Sequence, residues 1–134
     1  MNEMILMVSR LGISHKFHFP GFLKGDEVRH MLECSDVFVM PSVSEPFGIT
    51  PLEALQAGVP SIISKQSGVS EILSNVIKVD FWDIDATADA IYGLLRYKGL
   101  AKMLSDHGKK EVEGLKWEHS AQQIFSVYKD ILVA

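Results

Sequence analysis

"VFVMPSVSEPFGITPLEALQAGVPSIIS", residues 37–64, opens and closes on short apolar runs and holds a helix-like stretch between them. The runs at 37–41 and 60–64 are rich in β-branched and aromatic residues and are bounded by Pro and Ser, as strands are. They lack polar alternation, which fits strands covered on both faces. The stretch between them carries helix start and stop signals: Pro51 suits a first helical position, Leu52 and Leu55 share one face, and Gly58 ends the run. Strand, helix, strand in this order joins parallel strands by a right-handed crossover, so the segment belongs to an α/β sheet.

Working outward, "FHF" at 17–19 and "VIKVD" at 76–80 have the same strand character, giving four expected strands. "DEVRHMLECS" (26–35), with Val28, Met31 and Leu32 at helical spacing, and the shorter "VSEILSN" (69–75) are the other expected crossover helices. After Asp80 the pattern becomes helical only: 85–97, 100–115 and 119–134, with Gly99 and Gly114 as breaks. The expected fold is α/β, a Rossmann-like open parallel sheet with flanking helices and an all-helical C-terminal tail. Strand-helix units cover about 15–82 and the tail about 83–134, all within one domain, 1–134. Helical spacing assigns Ile91, Leu94, Leu95, Ile124, Phe125, Tyr128, Ile131 and Leu132 to the core.

The 134 residues suit one compact domain and leave no room for a second. A net charge of -4 lacks the basic excess that phosphate-backbone binding needs, so nucleic acid is not an expected partner. The single cysteine, Cys34, excludes an internal disulfide framework and reads as a buried small hydrophobe, which points to a cytoplasmic location. The opening "MNEMILMVSRLG" is too short for a membrane span and lacks the marks of a signal peptide. The five histidines form no local ligand pair and have no carboxylate or cysteine companions, so no metal site is expected. "HGKKEVEGLK" reads as a solvated helix face with Lys109 and Glu113 at i,i+4.

Two carboxylates, Glu45 and Glu53, flank the turn into the central helix. Thr50, Pro51 and Glu53 have the spacing of a capping box, in which Thr50 accepts from the Glu53 amide and the Glu53 carboxylate accepts from the Thr50 amide. A cap leaves Glu45 and Gly48 without a task. Gly48 permits close backbone approach, and a helix start at the carboxyl end of a parallel strand offers free N–H groups to phosphate. Carboxylates beside phosphate suit neutral hydroxyls, so phosphate plus hydroxyls describes a sugar nucleotide.

"EPFGITPLE" resembles the E-x7-E signature of retaining glycosyltransferases of family 4, the "group 1" glycosyltransferases, whose fold is GT-B with two Rossmann-like domains. "HFPGFL", "CSDVFVMPS" and "EALQAGVPSIIS" are similar to the family's flanking segments, and the likeness runs from about Leu11 to the end. It implies a partial GT-B C-terminal domain that binds an NDP-sugar donor, with no cofactor and no metal beyond that substrate. By resemblance, Glu45 is the catalytic residue, holding donor-sugar hydroxyls. The backbone N–H groups of Phe47, Gly48 and Ile49 and the Thr50 hydroxyl face the diphosphate, Glu53 holds the ribose, and Phe22 lies where the family often contacts the base. The family segment "GG-x-P-E" stands here as Ser67, Gly68, Val69, Ser70 and Glu71, without its first Gly and its Pro, and only an ordinary turn and helix start is assigned to Gly68 and Glu71. On these grounds Glu45→Ala abolishes transfer at little cost in stability, whereas Glu53→Ala reduces both.

The family's Arg and Lys that neutralise the diphosphate lie on earlier strand-helix units, and neither Arg10 nor Lys16 matches them. The family strand order 3-2-1-4-5-6 places two further strands between 17–19 and 37–41. The expectation is a fragment of a longer hexosyltransferase of polysaccharide or glycoconjugate biosynthesis, inactive alone. Its partner would be an N-terminal acceptor domain, or another chain that completes the sheet, and the resemblance allows peripheral membrane association of the full-length enzyme. The competing reading is a non-catalytic interaction or regulatory module of the same fold. A sugar-nucleotide epimerase ranks third, since no glycine-rich turn follows the first strand. Trp117 is expected in the core or at a domain interface.

Overall fold

The structure, a computed structural model, describes residues 2–133, so Met1 and Ala134, the two ends of the expected domain range, lie outside the described residues. Three strands, β1 (Phe38–Met40), β2 (Ser61–Ser64) and β3 (Ile77–Val79), form one parallel sheet in the order β1-β2-β3. Phe38 pairs with Ser61 and Ile62 with Ile77. Six helices accompany it: α1 (Asn2–Arg10), α2 (Asp26–Glu33), α3 (Thr50–Gln56), α4 (Ile84–Arg96), α5 (Lys98–Glu113) and α6 (Trp117–Val133).

Alternation along β2 sorts the core into two faces. Ile63 points to α3 and packs with Leu55, Val69, Leu73 and Val76, whereas Ile62 points to α4 and packs with Val79, Leu94 and Leu104. A smaller cluster of Leu32, Ala54 and Val59 joins α2 to α3. Each fully buried Leu or Ile contributes about 1.5–3 kcal/mol relative to exposure. α3 stops where Gly58 takes φ +81°; the Gly58 N–H bonds to the Leu55 carbonyl and the Val59 N–H to the Ala54 carbonyl, a Schellman end that aims the chain into β2.

α5 closes the amino ends of β2 and β3. The Ser105 hydroxyl donates to the Gly58 carbonyl at 2.6 Å, just before β2. Before β3, the Glu111 carboxylate accepts from the Ser74 N–H at 2.8 Å and from the Asn75 N–H and side-chain amide at 3.0 and 2.9 Å. The carboxyl ends of the strands are left to the loop carrying Glu45.

Several expectations are corrected. Residues 17–19 form no strand: a strand needs a ladder partner, none lies beside this segment among the described residues, and the Phe17 N–H bonds instead to the Ser14 carbonyl. Residues 69–75 form no α-helix but a 3-10 turn at Gly68–Glu71, whose first two amides, free of any intrahelical acceptor, donate to the Glu45 loop. The break in the tail falls at Tyr97 (φ -108°, ψ 83°), and Gly99 sits inside the first turn of α5. Cys34 is exposed, since it caps α2 beyond the face that α2 buries. Among the expected tail core residues only Leu94 is buried and Ile91 half-buried; Leu95, Ile124, Phe125, Tyr128, Ile131 and Leu132 are exposed, and of the two places expected for Trp117 its 87% exposure removes the core. For α6 the reason is that no described element covers it. Lys109 and Glu113 form no ion pair among the described residues; α5 instead pairs Lys102 with Asp106 at 3.0 Å.

Candidate functional site

β1 ends at Met40, and the chain crosses the carboxyl edge of the sheet as residues 41–49 before entering α3. The crossing is pinned midway. Glu45 pairs with Ser67 in a parallel bridge, the Gly68 N–H donates to the Glu45 carbonyl at 2.9 Å, and the Val69 N–H donates to the Phe47 carbonyl at 2.8 Å. Gly48 then takes φ +89°, a conformation that any side chain would strain. A Cβ on Gly48 would also stand 3.1 Å from the Glu45 Cγ and 3.2 Å from the Met40 Cε, so the glycine surface is the wall against which the Glu45 side chain rests.

The Glu45 side chain is half-buried and has no hydrogen-bond partner among the described residues. The N–H groups of Phe47, Gly48 and Ile49 likewise donate to no acceptor among the described residues. Acceptor oxygens of a carboxylate and donor N–H groups thus stand close together on one loop, a pairing that suits a ligand with both hydroxyls and an anionic group.

The expected capping box is not formed. Ile49 already has helical angles (φ -74°, ψ -33°), so it takes the cap position and places Thr50 inside the helix, where no side-chain cap bond is made. Pro51 does stand in the first turn, as its fixed φ favours. Glu53 is exposed on α3 and lines a groove of about 490 Å³ between α2 and α3, together with Gly25, Val28, Arg29 and Gln56. Glu45 is not among the lining residues of that groove, and neither is Phe22, which is 85% exposed with the Lys24 ammonium 5.6 Å from its ring centre. The structure therefore brings Glu45, Phe47, Gly48 and Ile49 together and places Glu53 on the adjoining groove.

Behind the loop lies a polar network at the ends of β2 and β3. The Asp80 carboxylate accepts from the Lys65 ammonium at 2.8 Å and from the Gln66 amide at 2.9 Å, and these bonds, the lysine's first, hold its carboxyl below the usual range. Among the described residues no group of three or more His, Cys, Asp or Glu side chains could hold a metal ion.

A family model described as "Glycosyl transferases group 1" matches residues 2–111. The chain belongs to the group 1 glycosyltransferases. This glycosyltransferase chain is 36% identical over 125 residues to an uncharacterized glycosyltransferase of Methanocaldococcus jannaschii, covering 90% of this chain and 32% of that protein. Among solved structures, sucrose-phosphate synthase from Thermosynechococcus elongatus superposes with a TM-score of 0.85 at 26% identity, covering 98% of this chain and 34% of that one. Anabaena HepE, solved with UDP-glucose, superposes with a TM-score of 0.84 at 19% identity, covering 96% of this chain and 36% of that one. These neighbours are GT-B glycosyltransferases, and the chain spans about a third of their length. No helix among the described residues is long and apolar enough to cross a membrane.

The resemblance to "GG-x-P-E" covers Ser67 and Gly68 but does not show their part in the site, which is to hold the Glu45 loop. No local signal marks that part, because the contacts join residues some 22 positions apart.

Proposed function

We propose that this chain is the donor-binding half of a retaining glycosyltransferase. An NDP-sugar lies across residues 45–50, its sugar hydroxyls donate to Glu45, its diphosphate meets the N–H groups of Phe47, Gly48 and Ile49 and the Thr50 hydroxyl, and its ribose extends to Glu53 at the α2–α3 groove. The observation that carries this reading is the seat of Glu45: a half-buried carboxylate without a partner among the described residues, held against a glycine of positive φ beside backbone donors that are likewise unpaired among them. Family membership supports it, and HepE, of the same fold, binds UDP-glucose. No metal is required, because backbone N–H groups meet the anion. Acceptor binding comes from outside these residues, either from another domain or from another chain, since transfer depends on positioning two substrates together. Phe22 does not line the groove and is assigned no part.

The test is a two-dimensional NMR titration of the labelled chain with UDP-glucose and with GDP-mannose. One of the two should bind weakly and saturably, shifting the amides of residues 47–50, with no sugar transfer. Glu45→Ala should weaken that binding by at least about tenfold, some 1.4 kcal/mol. Failure of both probes to move those amides would remove the donor-site reading, and turnover by this chain alone would remove the half-site part of it.

A further inference from the structure

Resting on the donor-site reading above, the geometry points to Gly68 as a positioning residue that sets where Glu45 stands, with Ser67 as its anchor. Gly68 does not have a positive φ, so conformational freedom does not explain it. Space does. A Cβ built on Gly68 would collide with the carbonyl oxygen of Pro46 and approach the Phe47 Cα to 3.3 Å, both of them backbone atoms that cannot swing aside as a side-chain tip can. Any other residue at 68 must push residues 46–47 away from β2, and Glu45 and Gly48 move with them.

The surface against which that loop rests is built to hold still. Ser67 is 2% exposed, and its hydroxyl donates to the Ser64 carbonyl at 2.7 Å. The Ser70 hydroxyl donates to the Lys65 carbonyl at 2.8 Å, and the Gln66 N–H donates to the Ser64 hydroxyl at 3.1 Å. Gln66 is tied in turn to Asp80 by its side-chain amide. These bonds lock residues 64–70 into one shape that presents the Gly68 and Val69 N–H groups outward, at 2.9 and 2.8 Å from the Glu45 and Phe47 carbonyls. In effect the sheet is extended by one bridge beyond β1 and β2, and the donor-facing carboxylate rides on that extension. Enzyme sites lose much of their effect when a group is displaced by ~1 Å, and a Cβ at 68 demands a shift of that order.

The experiment compares the unaltered chain with Gly68→Ala and Ser67→Ala. Three readouts are taken: amide hydrogen exchange, thermal melting, and NMR titration with UDP-glucose and GDP-mannose. In the unaltered chain the Gly68 and Val69 amides should exchange slowly. Gly68→Ala should speed exchange at 68 and 69, leave Ile62 and Ile63 protected, and lower affinity for the bound probe at least about tenfold. Ser67→Ala should lower affinity by a smaller factor in the same direction, and it decides the matter if Gly68→Ala fails to fold. Unprotected 68 and 69 amides in the unaltered chain would overturn the inference, as would undiminished probe affinity in Gly68→Ala or, should that variant not fold, in Ser67→Ala. If the unaltered chain binds neither probe, the donor-site reading falls and takes this inference with it; binding that survives the substitutions removes the inference alone.

Discussion

At φ +89°, with Glu45 and Met40 close to where a Cβ would stand, Gly48 accepts no Cβ without moving the side chain it supports. Gly48→Ala should therefore cost about 1–2 kcal/mol in stability from the left-handed backbone alone, and should lower probe affinity as far as Glu45→Ala does; chemical denaturation and NMR titration read the two effects. Glu53 behaves differently from what a capping box implies. With Ile49 as the cap, Glu53 holds no bond to the Thr50 amide, so Glu53→Ala should leave the denaturation midpoint within about 0.5 kcal/mol of the unaltered chain, while donor affinity falls. A loss of more than 1 kcal/mol would show that the carboxylate caps α3 after all. Glu45 and Gly48 were legible in the sequence because a cap explains neither of them. Gly68 was not, because its reason is the Pro46 carbonyl opposite, and a clash between residues 22 positions apart leaves no local pattern.

Elements were legible where local chemistry decides them and obscure where tertiary contacts do. β2 was plain from its unbroken apolar run, and the end of α3 from Gly58, whose αL turn any reading of helix stops anticipates. The 17–19 segment has strand composition yet no ladder partner among the described residues, and the stretch after β2 makes only a 3-10 turn at Gly68–Glu71, whose leading amides serve the neighbouring loop. Glu111 is the instructive case on α5. Its stretch looks like a solvated face, but it reaches three donors at Ser74 and Asn75 ahead of β3. Partial burial pushes its carboxyl up, but the bonds from Asn75 and Ser74 outweigh this and leave it below its ordinary value of 4.5. A carboxylate lowered by folding stabilises fully above its unfolded value and loses that contribution as pH falls through and below it. The chain should thus lose stability as pH drops below about 4.5, and Glu111→Gln should flatten that slope. Denaturant midpoints at successive pH values measure it; an unchanged slope would mean that the bonds do not persist in solution. Glu111→Ala should cost about 1–3 kcal/mol at neutral pH by leaving the Ser74 and Asn75 amides unpaired.

On the scale of the whole molecule, the chain is sharply divided between a sheet packed on both faces and a terminal helix that buries nothing. β2 is buried throughout, and α3, α4 and α5 enclose it, whereas every side chain from Trp117 to Leu132 is exposed. The spacing of Ile124, Phe125, Tyr128, Ile131 and Leu132 marks one apolar face correctly, yet periodicity reports only that a face exists and is silent about what meets it. That is why the sequence led to a buried tail. Apolar area left in water contributes no burial free energy, so α6 adds nothing to the stability of the sheet domain. Removal of residues 117–134 should accordingly leave the melting temperature within roughly 2 °C, the shift expected from a few tenths of a kcal/mol in a domain of this size. The exchange protection of Ile62, Ile63 and Leu55 should also be unchanged. A fall of more than about 5 °C would mean that α6 folds back onto the domain in solution and that its apolar face belongs to this chain's own core.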